Sequence, residues 1–177
     1  MLRIDLNAGC GDHHPPGWVN ADIDPACDPD MCCDLTGLPA GDGTAGRIFA
    51  SHVLEHNGYH DQLPLLLAEF RRVLADDGEL CVVGPDIERA VILRESYWLL
   101  DLIIAWPPAF GSWPAKIPPR GHAWTATGPL VEHALTSAGF TFTSWTGRLK
   151  DLEAAGWPVV AVHADWQNAY TCRKGLA

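Results

Sequence analysis

At 177 residues, 47% hydrophobic and with a mean hydropathy near zero, the chain is sized for one globular domain spanning 1–177 with a substantial core. A formal net charge of −10 argues against a nucleic-acid partner, because phosphate affinity comes from Lys and Arg. No apolar run reads as a membrane span, and the six cysteines are too few and too uneven for a disulfide framework, so a cytoplasmic protein with reduced thiols and no membrane contact is expected.

Leu2 to Leu6 alternates apolar and polar residues, reads as a first strand, and runs into the Gly-rich turn Ala8-Gly9-Cys10-Gly11. A second strand is expected over Trp18 to Ile23. The two prolines of 12–17 leave room for a turn or a stub of helix between them. Met31 to Cys33 and Arg47 to Ser51 are the third and fourth strand candidates, with a loop over 41–46. From Asp61 to Leu74, Leu63, Leu66, Leu67, Phe70 and Leu74 recur at three and four, which marks an amphipathic helix ended by Asp76-Asp77-Gly78. Glu79 to Val83 is a nearly continuous apolar strand, as expected for a parallel sheet covered on both faces.

A long helix is expected from Glu88 to Ala105, followed by a Pro- and Trp-rich stretch to Trp124. Thr127 then caps a helix that carries Pro129 in its first turn and Gly139 at its end. Phe140 to Trp145, Val159 to His163 and Gln167 to Arg173 complete the strand candidates. This order implies an open α/β sheet, in which ligands sit beyond the carboxyl ends of the strands.

Gly9 and Gly11 suit a close backbone approach to a ligand, since glycine lacks a Cβ and tolerates positive φ. A carboxylate at the end of the second strand can accept from both hydroxyls of a ribose; Asp22 and Asp24 lie there, and Asp22 is the first choice. The interval of eleven residues from Gly11 to Asp22 is shorter than the roughly 20 of a dinucleotide fingerprint, which weakens NAD binding.

The strings LNAGCG (6–11), GWVNADID (17–24), DLTGLP (34–39), IFASHVLEH (48–56) and FRRVLADDGELCVVGPD (70–86) resemble the successive motifs of class I S-adenosylmethionine-dependent methyltransferases. The resemblance implies an open, mostly parallel Rossmann-like sheet with helices on both faces and an antiparallel strand near the C-terminus. Residues 1–86 would form the cofactor-binding half and 87–177 the acceptor side. It further implies S-adenosylmethionine as cofactor, with Gly9 and Gly11 under its methionine part, Asp22 on the ribose, and Asp34 and Leu35 framing the adenine. Ser51 and His52 would face the methyl-transfer side. Asn7 stands where many members carry an acid toward the cofactor's amino group, and His13 where a third glycine is usual. The acceptor expected is a small molecule or sugar; the oligomeric state is not legible.

A general base is needed only where the acceptor must lose a proton; His52, Glu55, His56, Asp86 and His122 are candidates, with His52 and His122 first. Two other readings stand beside this one: a catalytically degenerate binding protein of the same fold, motivated by Asn7 and His13, and a zinc hydrolase using the H-x-x-E-H string His52 to His56. The cysteines and His13 and His14 match no regular zinc spacing, so no metal site is expected.

Overall fold

The computed structural model describes residues 3–92, 123–124, 126–159 and 166–175. Within them a seven-stranded sheet comprises β1 (Ile4–Ala8), β2 (Val19–Asp22), β3 (Met31–Cys32), β4 (Ala45–Ser51), β5 (Leu74–Pro85), β6 (Phe140–Ser144) and β7 (Gln167–Lys174). The strand order is β3-β2-β1-β4-β5-β7-β6, and β7 alone runs against its two neighbours. Strand order reverses at β1, which pairs in parallel with both β2 and β4, so the crevice expected at such a switch point lies above its carboxyl end.

The period-two alternation of the central strands divides the core between the two faces. Ile48 and Ala50 of β4, Leu80 and Val82 of β5, and Tyr170 and Cys172 of β7 pack on one face with α1 (Gln62–Val73) and α3 (Gly128–Ser137). Phe49, Cys81, Val83 and Ala169 face the other side, where α4 (Leu149–Ala154) contributes Leu149 and Leu152. α1 forms where its periodicity predicts: Asp61 caps it by accepting from the Gln62 amide at 2.7 Å, and Leu63, Leu66, Leu67, Phe70 and Val73 are buried. α2 is described over Ile87–Ile92; the rest of the helix expected to Ala105, the Pro- and Trp-rich stretch to His122, and residues 160–163 of an expected strand lie outside the described residues.

Three boundaries differ from the sequence expectation. β5 begins at Leu74 rather than Glu79: Leu74 pairs with Ala45, and the register resumes at Arg47 opposite Glu79, so Asp76-Asp77-Gly78 is an irregularity within a strand instead of a helix stop. β4 starts at Ala45, inside the expected loop. α4 carried no sequence signal, because six residues are too few to show a period.

Residues 9–18, 23–30 and 33–44, which link the first four strands, contain no α-helix. On the face they leave open, Arg47 does the covering. Its guanidinium sits 4.7 Å from the Trp18 ring and 5.7 Å from the Trp157 ring, donates to the Asp5 carboxylate from Nε and Nη2 at 3.1 and 2.6 Å, and reaches the Gly156 carbonyl at 3.1 Å. A planar fork fills this slot and an ammonium does not. Arg47→Lys is therefore expected to destabilise the fold by about 1–2 kcal/mol, read as a lower urea midpoint at unchanged m-value.

Candidate functional site

The candidate site lies along the carboxyl edge of β1, β2, β4 and β5. After Ala8 the chain turns through Gly9 (φ 69°) and Gly11 (φ 49°), a left-handed course that favours glycine at both positions. The turn is pulled onto β2: the Gly9 and Cys10 amides donate to the Ala21 carbonyl at 2.8 and 3.1 Å, and the Gly11 amide donates to Asp22 Oδ2 at 2.9 Å. The two glycines differ in their surroundings. A Cβ on Gly9 would run into Val53, whereas one on Gly11 would meet nothing within 4 Å. Gly9 thus lets β1 pass under the segment after β4, and Gly11 borders open space.

Asp22 is half-buried at the end of β2, and its Oδ1 accepts from the Asp24 amide at 2.9 Å. Each oxygen thus holds one backbone N–H and retains a second lone-pair direction. Asp24 is buried and spends Oδ1 on the Ala26 amide at 2.8 Å, capping a 3-10 turn, so Asp22 is the one of the two that faces outward. The adjacent Cys10 thiol is pushed up to about 12 by burial and by the nearby Asp22, and remains protonated near neutrality.

Asn7 is fixed by a structural task. It is 2% exposed, and its Nδ2 donates to the His13 carbonyl at 2.7 Å and to Asn20 Oδ1 at 3.0 Å. Asn20 in turn gives its backbone and side-chain N–H groups to Asp30 Oδ2 at 2.8 and 3.1 Å. These bonds hold the Asp30 carboxyl below the usual range, so its contribution to stability is complete above its ordinary pKa and is lost as pH falls through the lowered value. His13 serves the same network, with Nε2 placed 3.1 Å from the Pro158 carbonyl. Asp34 is exposed and closes its own turn by accepting from the Thr36 amide and hydroxyl at 2.9 and 2.8 Å, while Leu35 leans on the core.

On the other side of β1, Ser51 ends β4 and His52 follows at φ 55°, a left-handed conformation that non-glycine residues seldom adopt. The His52 amide donates to the Val83 carbonyl at 2.8 Å. Its ring is held at both nitrogens: Nδ1 lies 3.1 Å from Glu55 Oε1 and Nε2 lies 2.6 Å from Gln167 Nε2, with Trp166 edge-on at 6.1 Å. Glu55 is 1% exposed. Burial pushes its carboxyl up, but the hydrogen bond from His52 and the charges of His52 and His56 outweigh that, leaving it below the usual range. Asp86 is buried and accepts from the Glu88 and Arg89 amides at 3.1 and 3.3 Å, which makes it the cap of α2.

The fold therefore brings Gly11 and Asp22 into direct contact, sets Ser51 and His52 across β1 from them, and leaves Asp34 engaged in a turn. His122 lies outside the described residues. The H-x-x-E-H string begins just after β4 and ends in a 3-10 turn at Leu54–His56, so its histidines do not share an α-helical face, and no cluster of three metal-ligating side chains occurs among the described residues. Gln167 and Trp166 had no local signal; they reach the site because β7 starts at the edge where the parallel strands end. A groove of about 950 Å³ lies elsewhere, between α1 and α3, lined by Tyr59, Leu63, Arg71 and His133 and by none of the residues at this edge.

No family model matches this sequence, and no curated protein matches it. Solved structures do. A protein from Pyrococcus horikoshii OT3 superposes with a TM-score of 0.62 at 15% identity, over 98% of this chain and 82% of that one. A SAM-dependent methyltransferase from Archaeoglobus fulgidus gives 0.62 at 13% identity, over 98% and 86%. The 1,6-didemethyltoxoflavin-N1-methyltransferase of Burkholderia thailandensis, solved with its namesake ligand and S-adenosylhomocysteine, gives 0.57 at 16% identity, over 99% and 72%. Among the described residues, no helix is long and apolar enough to cross a membrane. With its mostly parallel sheet, one reversed strand among the described residues and these neighbours, the chain has the Rossmann-like fold of the class I S-adenosylmethionine-dependent methyltransferases.

Proposed function

We propose that this chain is an S-adenosylmethionine-dependent methyltransferase acting on a small-molecule acceptor, with residues 1–86 carrying the cofactor half and 87–177 the acceptor side. The observation that carries the reading is the closure of the Gly11 amide onto the Asp22 carboxylate beside open space, where even a Cβ on Gly11 would meet nothing within 4 Å. A carboxylate with two free lone-pair directions beside a glycine turn fits the ribose of a nucleoside cofactor, and the anionic surroundings suit a sulfonium. The small-molecule acceptor follows the Burkholderia thailandensis enzyme, which holds 1,6-didemethyltoxoflavin.

When bound, S-adenosylmethionine supplies a methyl group whose C–S bond pair returns to sulfur as the acceptor's lone pair takes the carbon. The chain's own part is alignment and proton handling. Gly11 lets the backbone lie under the ligand, Gly9 makes room for Val53 in the same turn, Asp22 fixes the ribose, and Asp34 and Leu35 stand beside the adenine end. Asn7 contributes by bracing the turn. Ser51 and His52 border the reacting side, and the acceptor's proton passes to the His52 imidazole; His122 is the second candidate for that role.

Calorimetric titration with S-adenosylhomocysteine tests the reading, with binding in the micromolar range expected. Asp22→Ala is expected to weaken that binding by about 1–3 kcal/mol, since a charged acceptor is lost and the Gly11 turn is released. A wild-type protein that bound neither S-adenosylhomocysteine nor S-adenosylmethionine would end the proposal, and an unchanged affinity in Asp22→Ala would move the ribose elsewhere.

A further inference from the structure

The imidazole of His52 is clamped more fully than a surface histidine needs. Nδ1 faces Glu55 Oε1 at 3.1 Å, and an ionised carboxylate can only accept, so Nδ1 must carry the ring proton. Nε2 is then a lone pair, and the group opposite it at 2.6 Å must donate: the Gln167 amide nitrogen. That orientation leaves Gln167 Oε1 buried without a partner among the described residues, a position an amide avoids when its other end has a choice. The backbone of His52 is held left-handed as well, and its side chain remains 38% exposed, so a clamped ring still opens toward the site.

Building on the reading of His52 as the acceptor-side base, we propose that Glu55 and Gln167 are positioning residues. Together they hold His52 as the Nδ1–H tautomer with its Nε2 lone pair presented to an acceptor that bears N–H or O–H. In the resting protein the Gln167 carboxamide holds that lone pair, and it swings aside when an acceptor's N–H or O–H takes its place. As the acceptor's nitrogen or oxygen forms its bond to the methyl carbon, its proton moves to His52 Nε2 and the imidazolium faces the Glu55 carboxylate. When the methylated product leaves, the Gln167 carboxamide returns turned by half with Oε1 toward the new N–H, which gives the orphaned oxygen a partner.

The experiment is two-bond proton–nitrogen correlation spectroscopy on the full chain with labelled histidine, near neutral pH and with no ligand added. Wild type is expected to show His52 predominantly as Nδ1–H. Glu55→Leu, which removes the acceptor, is expected to switch it to Nε2–H, and Glu55→Gln, which keeps a carbonyl acceptor, to restore the original form. Gln167→Met should retain Nδ1–H while shifting the Nε2 resonance as its donor disappears. An Nε2–H tautomer in wild type overturns the proposal even where Glu55→Leu does not fold, and so does an Nε2 resonance unmoved by Gln167→Met. Because no cofactor is present, failed S-adenosylhomocysteine binding would sink the methyl-transfer reading while leaving these spectra to decide the tautomer.

Discussion

His52→Asn is expected to lower turnover by about 10²- to 10⁴-fold while S-adenosylhomocysteine affinity stays within about a factor of two. Asparagine is chosen because position 52 sits at φ 55°, where Asn is among the few residues tolerated, and because its amide still offers an N–H toward buried Glu55. A variant such as His52→Ala would take away that carboxylate's side-chain donor and blur chemistry with stability. What Asn lacks is a basic nitrogen. Turnover is read as S-adenosylhomocysteine release with the acceptor that wild type methylates best in a panel of small amines and phenols. A loss of less than about fivefold would show that the acceptor needs no base at this position.

Asn7→Asp, a change toward the acid common in the methyltransferases this chain resembles, is expected to destabilise the fold by about 2–5 kcal/mol. The Asn7 amide gives both its hydrogens away, to the His13 carbonyl and to Asn20 Oδ1, at a position that is 2% exposed. A carboxylate there would present oxygen to two oxygens, and Asn20 is not free to turn and rescue it because its own N–H groups are committed to Asp30. The deficit should shrink as pH falls and the introduced carboxyl takes up a proton, since burial raises the pKa of an unpaired acid. Urea unfolding at two pH values checks both statements; a midpoint equal to wild type at neutral pH would show that Asn7 is not the brace.

The parts of the molecule legible in the sequence are those whose causes are local. Gly9 and Gly11 after an alternating run, Asp22 at the tip of the next one, and the three-and-four spacing of Leu63 through Phe70 each owe their form to near neighbours, and each stands where its pattern put it. The antiparallel β7 was also readable, as the last strand of a recognisable order. The start of β5 was not, because Asp76-Asp77-Gly78 has the chemistry of a helix stop and pairing with Ala45 overrides it. Gln167 lies 115 positions from His52, and His13 is 145 from Pro158; no window along the chain contains either pair. Asn7 stands in the sequence where an acid toward the cofactor's amino group is common, and the structure shows it bonded to the turn through His13 and to β2 through Asn20.

The helix-free links between the first four strands have a consequence for how the chain acquires its shape. The cover that short-range crossovers would provide comes instead from Arg47 together with Trp157 and Pro158, the last of which meets His13 from 145 positions away. Phe49 and the Trp18 ring touch each other and lie by Arg47, but gain their Trp157 contact only when that distant segment folds back, and closing so long a loop is slow. The glycine-turn edge is thus braced by a partner far along the sequence, His13 against the Pro158 carbonyl, and not by its own connecting links.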